Sequence, residues 1–155
     1  MIKYLMNTLD RETETLDSYI AAFSKEQNTT VCNEYLRTFG ELRWNHPNMI
    51  QLFTKQLDNP STCVNAAISL YKLKKENNDC FTKEIEDRCF ETIKANFSNT
   101  LDIQDRVMCV EVLGVLGVSK PGIMQQLTQI METDKNIEVK SAAGRALSQV
   151  NTKIS

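Results

Sequence analysis

Residues 134–150 read DKNIEVKSAAGRALSQV, and this stretch decides the fold because its pattern recurs twice upstream. Small or apolar residues stand 3, 4, 7 and 8 places after Val139. This spacing puts one stripe along an α-helix, made of Ala142, Ala143, Ala146 and Leu147. Alanine side chains leave room for another helix to approach, so the stretch predicts a helix that packs closely on a neighbour.

Two earlier segments fit the same frame. Asp58 takes the place of Asp134 and is followed by Cys63, Ala66, Ala67, Leu70 and Tyr71. Arg106 takes the place of Lys140 and is followed by Met108, Cys109, Val112 and Leu113. Repeated helix pairs stack on one another and commonly present binding surfaces. The repetition therefore favours a binding protein over an enzyme.

Helical patterns run along nearly the whole chain, so the sequence predicts an all-α fold with about eight helices. The helices group into pairs over residues 10–44, 45–78, 79–118 and 119–151. Predicted capping residues are Asp10 or Thr13 for the first helix, Thr30 for the second and Ser61 for the fourth. Segment 102–117 is apolar nearly all round, which predicts a central place in the stack. Residues 151–155 are predicted to fray.

The chain resembles the HEAT-repeat family over the last two thirds of its length. The resemblance rests on the leading aspartates Asp58 and Asp134, the Val139–Lys140 step and the alanine pairs that follow. Val64 and Thr100 depart from the family pattern, in which a basic residue and an aspartate are usual at these places. The resemblance implies a short right-handed α-solenoid of about four antiparallel helix pairs, as a single domain over residues 1–155.

Composition describes an ordinary globular chain. It has 155 residues, 41% hydrophobic and 25% charged, with a net charge of -2. No apolar run approaches the ~18 residues of a membrane span, and the first residues lack the pattern of a signal peptide. The five cysteines form no CxxC pair. These features predict no membrane association and a reducing compartment, the cytoplasm or alternatively the nucleus.

Residues that carry chemistry are sparse. His46 is the single histidine and stands in a turn, and dispersed cysteines supply no zinc ligand set. An acidic face at Glu84, Glu86, Asp87 and Glu91 suggests either a divalent-ion site or an ordinary solvated helix surface. Interleaved basic residues favour the solvated surface. We therefore expect no catalytic, cofactor-binding or metal-binding residues, and not an enzyme.

The resemblance to HEAT repeats implies that the second helix of each pair lines a concave face. The residues predicted to point outward there and bind a partner are Asn65, Ser69, Lys72, Arg106, Glu111, Lys140 and Arg145, with Ser141 beside them. Their basic bias suits a protein partner with acidic groups. The predicted function is a non-catalytic scaffold or adaptor, and the sequence leaves the oligomeric state open.

Three alternatives remain open at this stage, one of which is an enzyme subunit whose active site needs another chain. An apolar end of the stack offers a different docking surface, formed by Leu5, Met6, Leu9, Tyr19 and Phe23. Some HEAT-like proteins bind or modify nucleic acids through a basic groove. The net charges of residues 1–44, 45–78, 79–118 and 119–155 are −2, +2, −4 and +2, and this alternation disfavours a continuous basic stripe.

Overall fold

The computed structural model describes residues 13–43, 46–76 and 81–154, and these residues confirm the all-α prediction. Within those ranges there is no β-strand, and the short 3-10 helix Phe97–Asn99 follows the fifth helix. The α-helices of the described residues are α1 Thr13–Lys25, α2 Thr29–Leu42, α3 Pro47–Gln56, α4 Cys63–Glu76, α5 Lys83–Asn96, α6 Ile103–Leu116, α7 Ile123–Thr133 and α8 Ile137–Ile154. The predicted cap Asp10 lies outside the described residues.

Asparagine and aspartate side chains start three of the helices. The Asn28 side chain accepts a hydrogen bond from the Val31 N–H at 3.1 Å and starts α2. The prediction that Thr30 caps this helix is therefore wrong, because Asn28 is the capping residue and the helix begins at Thr29, which places Thr30 inside its first turn. Asp102 caps α6, and the Asn136 oxygen accepts the Val139 N–H of α8 at 3.2 Å.

Two other predicted boundaries are wrong. Helix α4 begins at Cys63, so Ser61 lies in the preceding turn, where its N–H donates to the Asn59 side chain at 3.0 Å. Helix α8 continues to Ile154 instead of fraying after Val150. No glycine or proline interrupts residues 150–154, so the helical hydrogen bonds continue.

The contacts between residues group the chain into two compact units, Met1–Thr82 and Lys83–Ser155. In the first unit, α4 packs against both α2 and α3. Helix α4 is covered on nearly every side, with its residues from Asn65 to Tyr71 all buried. Large side chains fill the core, among them Leu36, Phe39, Met49, Phe53, Leu70 and Tyr71.

In the second unit, α6 contacts α5, α7 and α8, and α8 also packs on α7. These three contacts agree with the nearly all-round apolar character of α6. Its close approach to α8 depends on small residues, because a Cβ added at Gly114 would stand 2.9 Å from the Ala146 Cβ. The core here includes Cys89, Ile93, Cys109, Val112, Leu113, Leu127, Val139 and Ala143.

A pair of glycine substitutions tests this close approach. Gly114→Ala should destabilise the chain, because crowding against Ala146 costs about 1–3 kcal/mol and outweighs the gain in helix propensity. Gly144→Ala should stabilise it by about 0.5–1 kcal/mol, since the new Cβ meets only the Met131 sulfur, at an ordinary 3.6 Å. Urea unfolding followed by circular dichroism measures both changes, and equal stabilisation by both variants would contradict the packing.

Candidate partner-binding surfaces

Two of the residues predicted to bind a partner are buried in the first unit. Asn65 is 8% exposed and Ser69 is 2% exposed. The Asn65 amide donates to the Asn33 side chain at 3.0 Å, and its oxygen accepts from the Arg37 Nε at 3.2 Å. The prediction that Asn65 and Ser69 point outward is wrong, because α4 lies between α2 and α3 and has no broad solvent face.

Ser69 and its neighbours extend this polar contact along α2 and α4. The Ser69 hydroxyl donates to the Leu36 carbonyl at 2.9 Å, and a Cβ at Gly40 would meet the Ser69 oxygen at 2.5 Å. These polar groups are satisfied internally, so they position the two helices instead of offering bonds to a partner. Lys72 in the same helix is half-buried.

In the second unit, Arg106 joins two interhelical turns. Its guanidinium donates to the Phe97 carbonyl at 3.0 Å, to the Thr100 carbonyl at 2.8 Å and to the Asp134 carboxylate. The guanidinium also stacks on the Phe97 ring, 4.2 Å from its centroid. The Arg106 side chain is only 18% exposed. The prediction that it points outward is wrong, because Asp134 and two carbonyls draw it inward.

Asp134 receives charge and hydrogen bonds from several sides. Burial by itself raises the pKa of its carboxyl, but the Asn136 N–H, the Arg106 guanidinium and the charge of Lys140 together bring that pKa below its ordinary value. The N–H of Asn136 donates to the carboxylate at 2.9 Å. Two of the basic residues predicted to bind a partner, Arg106 and Lys140, therefore act on this aspartate.

The other residues predicted to bind a partner lie along α6 and α8. Glu111 and Lys140 are half-buried, whereas Ser141 and Arg145 are exposed. Ser141 and Arg145 help to line a groove of about 350 Å³ between the two helices, which we call the α6–α8 groove. Its remaining lining residues are Gln104, Val107, Ile137 and Glu138.

Exposed aliphatic residues mark a second feature that the sequence did not predict. Leu101 is 88% exposed, Ile103 is 42% exposed and Ile137 is 73% exposed. Their place outside the apolar stripes of α6 and α8 is the signal in the sequence that they are exposed. Leu101 and Ile103 border a larger groove of about 770 Å³, which we call the turn groove, with Arg106 and Asp134 in its lining.

The alternative docking surface at the first helix receives no support from its described members. Phe23 is 6% exposed and packs edge-on against Tyr35, with ring centroids 6.0 Å apart. Tyr19 is half-buried. The other members of that surface, Leu5, Met6 and Leu9, lie outside the described residues.

The residues considered for chemistry have structural roles. His46 starts α3, where its Nδ1 accepts a hydrogen bond from the Asn48 N–H at 3.1 Å. Asp87 pairs with Lys120 at 2.7 Å and with Lys83 at 3.3 Å, and the Lys120 hydrogen bond is the main cause of its lowered pKa. Across the described ranges, no group of three or more His, Cys, Asp or Glu residues has the arrangement of a metal site.

Comparisons with known proteins add no relative to this picture. No family model, no curated protein and no solved structure matches the chain. None of the described helices combines the length and the apolar character that crossing a membrane requires. The functional assignment therefore depends on the geometry of the described surfaces.

Removing the Arg106 side chain tests its role in joining the two turns. Arg106→Met should lower the free energy of unfolding by about 2–3 kcal/mol, because two carbonyls and the Asp134 carboxylate lose their donor. A double-mutant cycle with Asp134→Asn should give a coupling energy of about 1–2 kcal/mol. Arg145→Met is the control, and should change stability by less than about 0.5 kcal/mol because Arg145 is exposed.

The lowered pKa of Asp134 gives this contact a pH dependence. A carboxyl whose pKa is lower in the folded state stabilises the fold above its unfolded pKa, and loses that contribution as pH falls through the folded pKa. Asp134→Asn should therefore lose less stability than the parent chain when the pH is lowered from about 6 to about 3. Parallel losses in both proteins would show that the carboxylate is not stabilised in the fold.

Proposed function

We propose that this chain is a short right-handed α-solenoid of about four HEAT-like helix pairs, forming one domain over residues 1–155. We further propose that it is a non-catalytic scaffold or adaptor that binds a protein partner with acidic groups. The α6–α8 groove and the neighbouring Lys140 would contact this partner. The observation that carries the proposal is the position of this groove between α6 and α8, the second helices of two successive helix pairs.

Contacts between successive helix pairs support the repeat architecture. In each unit the second helices pack on one another, α2 with α4 and α6 with α8. The polar contacts between helix pairs join residues of similar sequence separation in both units. Asn33 bonds Ser61 across 28 residues, Ser69 bonds Leu36 across 33, and Arg106 bonds Asp134 across 28. These separations approach the repeat length that the sequence pattern predicts.

The outcomes for His46 and Asp87 support a non-catalytic function. The Nδ1 of His46 is occupied by the backbone of its own helix, and the Asp87 carboxylate is engaged by two lysines. Catalysis by either group requires a reacting partner within hydrogen-bond reach and a poised pKa. Their structural engagement fits a protein whose surfaces bind rather than react.

Charge on the α6–α8 groove supports an acidic partner. Arg145 is exposed in the groove lining and Lys140 lies five residues earlier in the same helix. Glu138 is the acidic member of the lining, so the basic character is greatest toward Arg145. An acidic protein surface that seats against α8 would meet these cations without contacting Arg106, which is engaged at the turns.

Charge reversal on α8 tests the proposed site. Lys140→Glu with Arg145→Glu should weaken capture of the protein partner by about tenfold or more in affinity purification from lysate, because two attractive charges become repulsive. Ser141→Glu with Arg145→Glu is a second variant that leaves the neighbour of Asp134 unchanged. Lys25→Glu with Lys55→Glu is the matched control, with the same change of net charge on exposed residues of α1 and α3.

The outcomes separate the candidate functions. A protein retained by the control and lost by both α8 variants, with unchanged circular dichroism, supports the scaffold and its site. A protein retained by every variant moves the site away from α8. Recovery of material that nuclease removes would instead favour the nucleic-acid-binding alternative.

A further inference from the structure

We propose that the turn groove of the second unit binds an extended acidic peptide segment that carries an aliphatic side chain. This inference goes beyond the proposed function, since none of the residues that line the turn groove lines the α6–α8 groove. The turn groove lies between the α5–α6 turn and the α7–α8 turn. Its lining includes Lys94, Leu101, Ile103, Gln126, Gln129 and Lys135.

The aliphatic specificity comes from the α5–α6 turn. Leu101 and Ile103 are 88% and 42% exposed, and both border the groove. Isolated exposed aliphatics are common on protein surfaces, but two of them on the wall of one concave site give an apolar ligand side chain something to pack against. A leucine- or isoleucine-sized group would bury both together.

Charge determines the sign of the ligand. Lys94 and Lys135 are exposed in the groove, whereas Arg106 and Asp134 pair with each other in its lining. Counting these four residues, the lining carries a net charge of +2. Asp102 lies between Leu101 and Ile103 but caps α6 and does not line the groove. Carboxylates that flank the aliphatic side chain would therefore reach both lysines.

Side-chain amides supply hydrogen bonds for an extended backbone. Gln126 and Gln129 lie on the α7 wall. Each amide offers both a donor and an acceptor, which is what the N–H and C=O groups of a bound peptide need. A nucleic acid is disfavoured because Phe97, the aromatic residue of the lining, is 8% exposed and already stacked by Arg106.

The groove is also preorganised. Arg106 bonds to the carbonyls of Phe97 and Thr100 on one side and to Asp134 on the other. Both walls are thus fixed before a ligand arrives, so less conformational entropy is lost on binding. A short peptide can then bind without help from a larger interface.

Peptide selection on the intact chain tests this site. A library of displayed random peptides is selected on the full chain and counter-selected on the Lys94→Glu/Lys135→Glu variant. We expect the enriched peptides to share an aliphatic residue flanked by aspartate or glutamate. Fluorescence anisotropy with a synthesised peptide should show about tenfold weaker binding to that variant and to Leu101→Ser/Ile103→Ser, because charge and apolar contact are removed separately.

Three control variants keep the test specific. Met131→Ser removes an exposed apolar side chain of α7 outside the groove lining, and Lys25→Glu/Lys55→Glu repeats the charge change in the first unit. Ser141→Glu/Arg145→Glu alters the other proposed site and leaves Lys140, whose charge acts on Asp134 in the groove lining, unchanged. All three should bind the peptide as the parent chain does. If circular dichroism shows that the Lys94→Glu/Lys135→Glu variant is unfolded, the Lys94→Gln/Lys135→Gln variant replaces it.

Several results would overturn the proposal. They are a lack of enrichment, enrichment of basic or aromatic peptides, or equal binding by the parent chain and both groove variants. Peptide binding lost in Ser141→Glu/Arg145→Glu but kept in the groove variants would place the ligand on α8 instead. Failure at the turn groove, with partner capture still dependent on α8, would leave the scaffold function intact.

Discussion

The second unit depends on the contacts that the Arg106 guanidinium makes with two interhelical turns. One side chain satisfies carbonyls at Phe97 and Thr100, pairs with Asp134 and covers the Phe97 ring. Asp134 in turn accepts the N–H of Asn136, whose side chain starts α8. Hydrogen bonds between charged groups in a partly buried site are strong and directional. This series of contacts therefore fixes where α6 and α8 begin. Both proposed surfaces of this unit lie beside those starts.

The first unit aligns its helices mainly with uncharged side chains. Asn33, Asn65 and Ser69 link α2 to α4, with Arg37 at the edge of the network. Among the described residues, no buried side-chain nitrogen or oxygen lacks a hydrogen-bond partner. A network that is fully satisfied defines one arrangement of its helices, whereas a half-satisfied one would be costly. Different residues thus align the helices in the two units.

Periodicity predicted the helices well, because spacing along the chain is a local property. The stripe of Val139, Ala143 and Ala146 is buried as the sequence predicts. Helix starts were less predictable, because several neighbouring polar residues can each cap a helix, and Asn28 caps α2 where the sequence favoured Thr30. The prediction of side-chain direction failed where tertiary contacts decide that direction. Asn65 looked like a solvent-facing position only while the neighbours of α4 were unknown.

The candidate surfaces show the same division between local and tertiary information. Arg145 is exposed, and its position in α8 made that prediction possible. Arg106 takes the place of Lys140 in the repeated pattern, and a carboxylate 28 residues away turns it inward. Leu101 and Ile103 stand outside the apolar stripe, and a single sequence does not distinguish such residues from chance surface hydrophobics. Their shared position on one groove wall is visible only after the turns are placed.

Polar contacts between the helices also explain how these surfaces keep their shape. Small residues such as Gly114 and Ala146 allow close approach, but a stripe of small apolar groups tolerates sliding by a helical turn. Displacing α4 along α2 would separate Ser69 from the Leu36 carbonyl and leave buried polar groups unpaired. Displacing α8 along α6 would separate Arg106 from Asp134. The apolar stripes therefore bring the helices together, and the polar pairs select the one alignment in which the grooves exist.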